Sequence, residues 1–305
     1  MHHHHTSLST ITITMSPWPK ISHRHHVECR VVKLPNRRSP LMYYDMWKPG
    51  FTYIYLETLF KDAVHYWSIG NFSHTFGPRG TKLIKDHKGQ MSVRVVEKVN
   101  YVPGPHGTAL QTDGKSGYVI LGNFTNTCIG NPTLCSRGMS VSMWIKYASS
   151  DEVQYFLGTS NSQAGQPGFV VYQDPGANGS DYLAVSVRTG SKSWTSRVGV
   201  PSDTWTHLLF TWRPREGLAV HANGTLAGSS KQPVATLAMV NHHTSFMLGK
   251  ANNESRLSAA AYDDLSVWYH VLTDKEVKAI YARMCGIDFA KLKVERSQGR
   301  KCWPF

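Results

Sequence analysis

The chain predicts an all-β protein, an antiparallel β-sandwich or barrel with one short helix at its C-terminal end. Three observations predict it. Between about residue 63 and residue 270, short segments alternate apolar and polar residues with a period of two. Gly-, Asn-, Asp- and Pro-bearing turns separate these segments at short intervals. Helical periodicity is almost absent until the end of that stretch, and no period of solenoid or propeller length recurs.

Taken in order, residues 1–55 form a His-rich, basic leader whose apolar residues keep neither period for long, so it is expected to be poorly ordered. Its four consecutive histidines, His2 to His5, read either as compositional bias or as a metal-binding tract. No Cys or acidic ligand is patterned among them. Next, "LETLFKDAVHYW" places Leu56, Leu59, Phe60 and Ala63 at helical spacing. "SGYVILG" then alternates around Tyr118 and Ile120. In "MSVSMWIKY", Met139, Val141, Met143, Ile145 and Tyr147 share one face, and Ser140, Ser142, Trp144 and Lys146 the other. "YFLGTS", "GFVVYQD", "DYLAVSVRT" and "SWTSRVGV" follow as strands. "WTHLLFTWRP" puts Leu208, Phe210 and Trp212 on one side. "GLAVHANGTLAGSS" is a hairpin, because Asn223 and Gly224 tolerate the positive φ of a tight turn. "SFMLGKA" and "DDLSVWYHV" complete the strands. Thr273 and Glu276 then form a capping box, and Val277, Ile280 and Tyr281 make an apolar stripe on the helix it opens. The ordered domain is thus expected over 56–285, with a basic tail at 286–305.

The compartment is read from two features. Asn71, Asn123, Asn178, Asn223 and Asn253 each begin an N-x-[ST] sequon, and five exceeds the one or two expected by chance. Cys128 and Cys135, in "TCIGNPTLC", enclose Pro and Gly and suit a small disulfide loop. Cys29, Cys285 and Cys302 are left as an odd count. Both features point to a secreted protein or the ectodomain of a larger membrane protein, although the N-terminus does not read as a signal peptide. No apolar run approaches the ~20 residues of a membrane span. The formal net charge of +13 is weighted to the two ends. An acidic partner such as a sulfated glycan fits it, as do solvated tails with no partner. Nucleic acid fits the charge but not the sequons and the Cys loop.

Six segments, in order, resemble the laminin G-like and pentraxin-like modules of the concanavalin A-like superfamily. They are "HYWSIG", "PGPHGTALQTDGKSGYVILG", "MSVSMWIKY", "WTHLLFTW", "LAVHANGTLAGS" and "YDDLSVWYHVLTDKEVKAIY", spanning about residues 63–284. The resemblance implies a jelly-roll sandwich. It does not select a ligand, because lectins, adhesion modules, pentraxins and glucanases share the fold. It also implies that a structural calcium can sit at the sandwich margin. Asp264, at the head of the last strand, and Asp113, before an earlier one, are the candidate ligands. Asp263 and Asp264 are adjacent, so on an ideal strand they point to opposite faces and cannot share an ion. The competing readings are that Asp264 bonds backbone amides at the strand start and closes a loop, and that Asp113 is a turn former beside Gly114. A pentraxin-type paired site finds no match: Asp151, Glu152 and Gln154 lie together but lack further partners.

Trp194, Trp205, Trp212 and Trp268 are candidate sugar-stacking platforms, with Trp144 and Trp268 expected to be structural. Trp194 is the best exposed candidate, and Arg188, Lys192 and Arg197 around it make a candidate basic patch; packing and solvation are the competing readings. The glucanase carboxylate motif, the G-x-S-x-G elbow, H-E-x-x-H and the P-loop are all missing, so no enzyme is expected. The expectation is a non-catalytic recognition module that binds glycan or extracellular protein. A structural fragment that binds protein alone is the first alternative, and a glycan hydrolase the second.

Overall fold

The computed structural model divides into two compact units, Met1–Tyr55 and Leu56–Phe305. It describes residues 9–11, 29–32, 41–44, 62–69, 75–76, 82–89, 91–160, 166–175, 181–236 and 244–284. In the first unit, β1 (Ser9–Ile11), β2 (Cys29–Val32) and β3 (Leu41–Tyr44) pair antiparallel in chain order. This small sheet departs from the unpatterned leader expected above. Strands of three and four residues are too short for alternation to declare itself. The helical spacing at Leu56, Leu59 and Phe60 and the tail at 286–305 lie outside the described residues, as do Asn71, Asn178, Cys285 and Cys302.

The second unit runs β4 (His65–Ser68), β5 (Thr75–Phe76), β6 (Lys82–Leu83), β7 (Lys85–Asp86), β8 (Arg94–Val96), β9 (Asn100–Gly104), β10 (Gly107–Asp113) and β11 (Tyr118–Asn123). It continues through β12 (Met139–Tyr147), β13 (Tyr155–Gly158), β14 (Gly168–Pro175), β15 (Asp181–Arg188), β16 (Lys192–Val198) and β17 (Thr206–Arg213). It closes with β18 (Gly217–Ala222), β19 (Thr225–Ser230), β20 (Val234–Ala235), β21 (Ser245–Leu248), β22 (Ala259–Trp268) and helix α1 (Asp274–Met284). A nine-stranded antiparallel sheet has the order β19-β18-β17-β12-β22-β10-β9, with β4 and β7 also attached through β22. An eight-stranded sheet has the order β20-β16-β15-β14-β13-β21-β11-β8. These are the two layers of the expected sandwich. Neighbouring strands are often far apart in sequence, as at β12–β22 and β13–β21, which is the crossing topology of a jelly roll.

The core follows from the alternation. Met139, Val141, Met143, Ile145 and Tyr147 all point inward, with Leu208, Phe210 and Trp212 of β17 beside them. From the opposite sheet come Phe169, Val171, Leu183, Val185, Val187 and Phe246. Aromatic rings pack through the core: Phe169 meets Phe210 of the facing sheet at 5.2 Å and Phe246 of its own sheet at 5.5 Å between centroids. A second apolar layer lies on the other side of the nine-stranded sheet. Trp144, Leu209 and Trp268 face outward there and are covered by Val277 and Ile280 of α1. The helix starts as its capping box requires. Thr273 N donates to Glu276 Oε2 at 2.7 Å, and Glu276 N to Thr273 Oγ1 at 3.3 Å. Gly224, at φ +74°, turns the β18–β19 hairpin, and a Cβ there would come within 2.7 Å of the Tyr281 ring. The hairpin tip and the helix therefore fit only because the turn residue is glycine.

Cys128 and Cys135 are joined by a disulfide around the short 3-10 turn Pro132–Leu134. Both are buried against the core. In the chain-entropy account, closing so short a loop contributes about 2–3 kcal/mol. A Cys128→Ser/Cys135→Ser double variant is therefore expected to lose that much in urea unfolding. Unchanged unfolding midpoints would show the loop to be held by packing alone.

Candidate functional site

The most unusual chemistry lies where β22 changes partners. Along one side, β22 pairs with β10 over residues 259–262 and with β4 over 265–267. Asp263 and Asp264 lie between the two blocks. Along the other side, β12 pairs Trp144 with Asp263 and Ser142 with Ser266, so Asp264 and Leu265 oppose the single residue Met143. That is a β-bulge. Asp264 sits in the left-handed region at φ +46°. The bulge overturns the expectation that neighbouring aspartates diverge. It also shows that the pair lies mid-strand, since β22 begins at Ala259.

A tight turn brings the third group. Gly104 and Gly107 pair across a two-residue turn made by Pro105 and His106, which aims the His106 imidazole at the bulge. His106 Nδ1 forms an ion pair with Asp264 Oδ2, and His106 N donates to Asp263 Oδ2 at 3.3 Å. Asp264 N donates to Asp263 Oδ1 at 3.0 Å, and the Tyr66 hydroxyl donates to Asp264 Oδ1 at 3.1 Å. A Cβ on Gly104 would come within 2.7 Å of Ala109 Cβ and 3.0 Å of Asp263 Oδ2, so glycine lets β9 approach β10 and the turn close over the carboxylate. Asp263 is 0% and Asp264 5% exposed. Burial, and then the Asp264 charge beside it, push the Asp263 carboxyl well above the ordinary carboxylate range.

A row of side chains extends across the helix-covered face from this cluster. Trp144 is paired with Asp263 on one side and His207 on the other, and its ring lies 6.1 Å from His106 and 5.3 Å from His207. His207 Nε2 meets Ser142 Oγ at 2.8 Å. Burial, and then the nearby His106, push the His207 imidazole down to about 3.

Calcium does not suit this donor set. It takes six to eight oxygens. Here one of the three groups offers nitrogen, and the two carboxylates supply at most four oxygens. Asp113, the other residue expected at a calcium, is not brought to Asp264. It pairs with Ala259, four positions along β22 from Asp263. Its carboxylate is exposed and accepts from Lys115 N at 2.8 Å and Ser116 N at 3.0 Å, which holds it below its ordinary range. This is the turn-forming role weighed above.

Asp113 does line a rim cleft, however. Three loops meet there around about 440 Å³, and Ser149, Ser150, Glu152 and Arg256 join it in the lining. Arg256 Nε lies 3.7 Å from Glu152 Oε2 across the opening. Sequence reasoning singled out Asp113 and Glu152 separately and missed that distant loops bring them together.

The remaining candidates divide. Trp194 is 2% exposed and packs edge-on against Trp212 at 5.3 Å, so it is a core residue and no sugar platform. The period of two places it in phase with Ser196 and Val198 of β16, which also point inward. Trp212 and Trp268 are buried as well. Trp205 is half-buried, with Lys146 Nζ 5.7 Å above its ring. Arg188 and Arg197 reach the outer face of the eight-stranded sheet together with Tyr172. Lys192, in phase with Trp194, stands at the exposed start of β16 and does not join them. Arg197 pairs with Asp174. Asn123, Asn223 and Asn253 are exposed. Thr125 Oγ1 donates to Asn123 Oδ1 at 2.7 Å, and Asn223 Oδ1 accepts from His207 N at 2.9 Å.

Two antiparallel sheets in jelly-roll order, with a polar cleft at the rim and a helix docked on one outer face, define a lectin-like sandwich. The model of the concanavalin A-like lectin/glucanases superfamily matches residues 113–278, more than half of the 305-residue chain, and the chain belongs to that superfamily. It is 25% identical over 240 residues to human adhesion G-protein coupled receptor D1, covering 78% of this chain but only 25% of the receptor. Among solved structures it resembles domain 4 of AbnA, a GH43 extracellular arabinanase from Geobacillus stearothermophilus, in complex with arabinotriose. That likeness has a TM-score of 0.51 and 18% identity, over 72% of this chain and 98% of that one. It also resembles the binding domain of botulinum neurotoxin DC in complex with SialylT. There the TM-score is 0.53 and the identity 15%, over 74% and 52% of the two chains. At these identities the two structures establish the fold. Among the described residues, no helix is long and apolar enough to cross a membrane.

Proposed function

We propose that this chain is a non-catalytic extracellular recognition module that binds a glycan in the rim cleft. The observation that carries the reading is the cleft itself. It is an open depression of about 440 Å³ whose Ser, Asp, Glu, Lys and Arg side chains can meet the hydroxyls of a sugar. The relatives support it: one is an adhesion receptor, one a domain holding arabinotriose, and one a toxin binding domain holding SialylT. The disulfide and the exposed Asn123, Asn223 and Asn253 sequons support an extracellular setting. Hydrolysis is not supported. The buried pair, Asp263 and Asp264, is closed to a sugar chain, whereas Asp113 is tied into a turn and Glu152 faces Arg256.

Arg256→Ala removes one of the two cations lining the cleft, the other being Lys115, without touching the core. It is expected to weaken binding to a glycan selected by the wild-type chain about tenfold, or ~1.4 kcal/mol, in titration calorimetry. Undiminished affinity would move the ligand elsewhere. The second reading, an acidic ligand, is favoured by a specific observation. Arg188 is half-buried beside Tyr172 and Tyr155 on the outer sheet face, with Arg197 on the next strand. Retention on a heparin column that falls with Arg197→Ala would support that face, and retention lost at modest salt in every variant would indicate diffuse charge.

A further inference from the structure

We propose that His106, Asp263 and Asp264 form a binding site for a divalent transition-metal ion of the zinc class on the outer face of the nine-stranded sheet. Their ligand atoms all lie within 4.8 Å of one another, a separation that small side-chain rotations close around one ion. One imidazole nitrogen with two carboxylates is a donor set that zinc accepts at about 2.0–2.2 Å, with a fourth position left for water or another oxygen. The inference is independent of what the rim cleft binds.

Charge supports the assignment. Two carboxylates lie 0% and 5% exposed in contact with a single imidazole. Even a protonated His106 cancels only one of the two negative charges. The second must be met by a shared proton or by a cation, since a bare buried charge is costly. A divalent ion meets both. On binding, it replaces the protons the cluster holds: the one on His106 Nδ1 facing Asp264 Oδ2 leaves to solvent, so the imidazolium of the ion pair becomes a neutral imidazole protonated on Nε2, and the proton shared by the two carboxylates leaves with it. A further observation comes from Ser266. Its hydroxyl is fully buried and has no hydrogen-bond partner among the described residues. It pairs across the strands with Tyr66, the residue whose own hydroxyl meets Asp264. Entry is through His106, whose side chain keeps 30% of its surface exposed on the turn. The protein positions every ligand by backbone geometry: the bulge turns Asp264 to the same side as Asp263, and Gly104 lets the turn close.

The test uses the full chain stripped by chelator and titrated with ZnCl2 and, separately, CaCl2. Bound metal per chain and the melting temperature are compared in wild type, His106→Gln and Asp263→Asn. Zinc held by the leader histidines adds the same number of equivalents to all three, so the difference reads the site. The expected result is one equivalent fewer in each variant. Wild type is expected to melt roughly 5–10 °C higher with zinc at a hundredfold excess over Kd, with no such rise in His106→Gln and none with calcium. His106 lies on a half-buried turn outside the hydrophobic core, so His106→Gln keeps the core. A Co²⁺ titration of wild type, read by the visible bands of four-coordinate cobalt, stands independently of the variants' folding. Equal zinc in wild type and variants, or a wild-type melt that zinc does not move, would overturn the proposal and leave the pair held by a shared proton.

Discussion

Replacing Trp212 with alanine is expected to cost about 3–5 kcal/mol of folding stability, a large share of the total for a domain of this size. Trp212 is 0% exposed. It lies between Met139 of β12 and Leu218 of β18, and its ring carries the edge of Trp194 from the opposite sheet. Truncation opens a cavity between the layers and removes the support of a second tryptophan. Loss of the half-buried Trp205 is expected to cost less than 1 kcal/mol, since it leaves no enclosed void. Urea unfolding of the two variants checks the contrast. A Trp212→Ala loss under 1 kcal/mol would mean that the two sheets do not pack through this residue.

The second large effect is acid sensitivity through His207. Its folded-state imidazole is pushed down to about 3 from an ordinary 6.5, first by burial and then by its neighbours. Above pH 6.5 the ring is neutral in both states, and the full contribution to stability is present. Below 6.5 the unfolded chain takes up a proton that the folded chain refuses. Stability is therefore lost as pH falls toward 3, by roughly 4–5 kcal/mol in all. Asp263 acts with the opposite sign. Its folded carboxyl is raised, so its contribution is present at low pH and lost as pH rises through that raised value. Comparing wild type with His207→Gln separates the two, because glutamine does not titrate and Asp263 is common to both. Unfolding free energies at pH 7, 5 and 4 are expected to fall more steeply in wild type. Parallel slopes would show that His207 accepts its proton in the folded state.

Most of the sandwich was legible in the sequence, because a period of two is a strong signal in strands as long as β12. Met139 to Tyr147 assigned both faces correctly: the odd positions entered the core, and Trp144 went to the helix-covered side. The capping box at Thr273 and the turn at Asn223 were legible for the same reason, since each is a local device with its own residue types. Trp194 was misread through its neighbours. Arg197, three residues on, falls on the other face, so charge beside a tryptophan in sequence says nothing about its exposure. The Asp263–Asp264 site was hidden by a different cause. A bulge is set by how three strands meet, and neither aspartate carries a local sign of positive φ. His106 gave only the turn-forming context of "PGPHG", which predicts a hairpin but not what the hairpin points at. The rim cleft was hidden likewise, since its Asp113, Glu152 and Arg256 come from three loops far apart in the chain.

The reading as a glycan-recognition module is tested most directly by a glycan array probed with this chain, expressed through a secretory route, with Arg256→Ala and Arg197→Ala alongside. The account predicts selective binding to a small set of glycans, weakened by Arg256→Ala and kept by Arg197→Ala. No binding to any glycan by wild type, with the chain folded and its disulfide formed, would contradict it and leave a module that recognises protein alone.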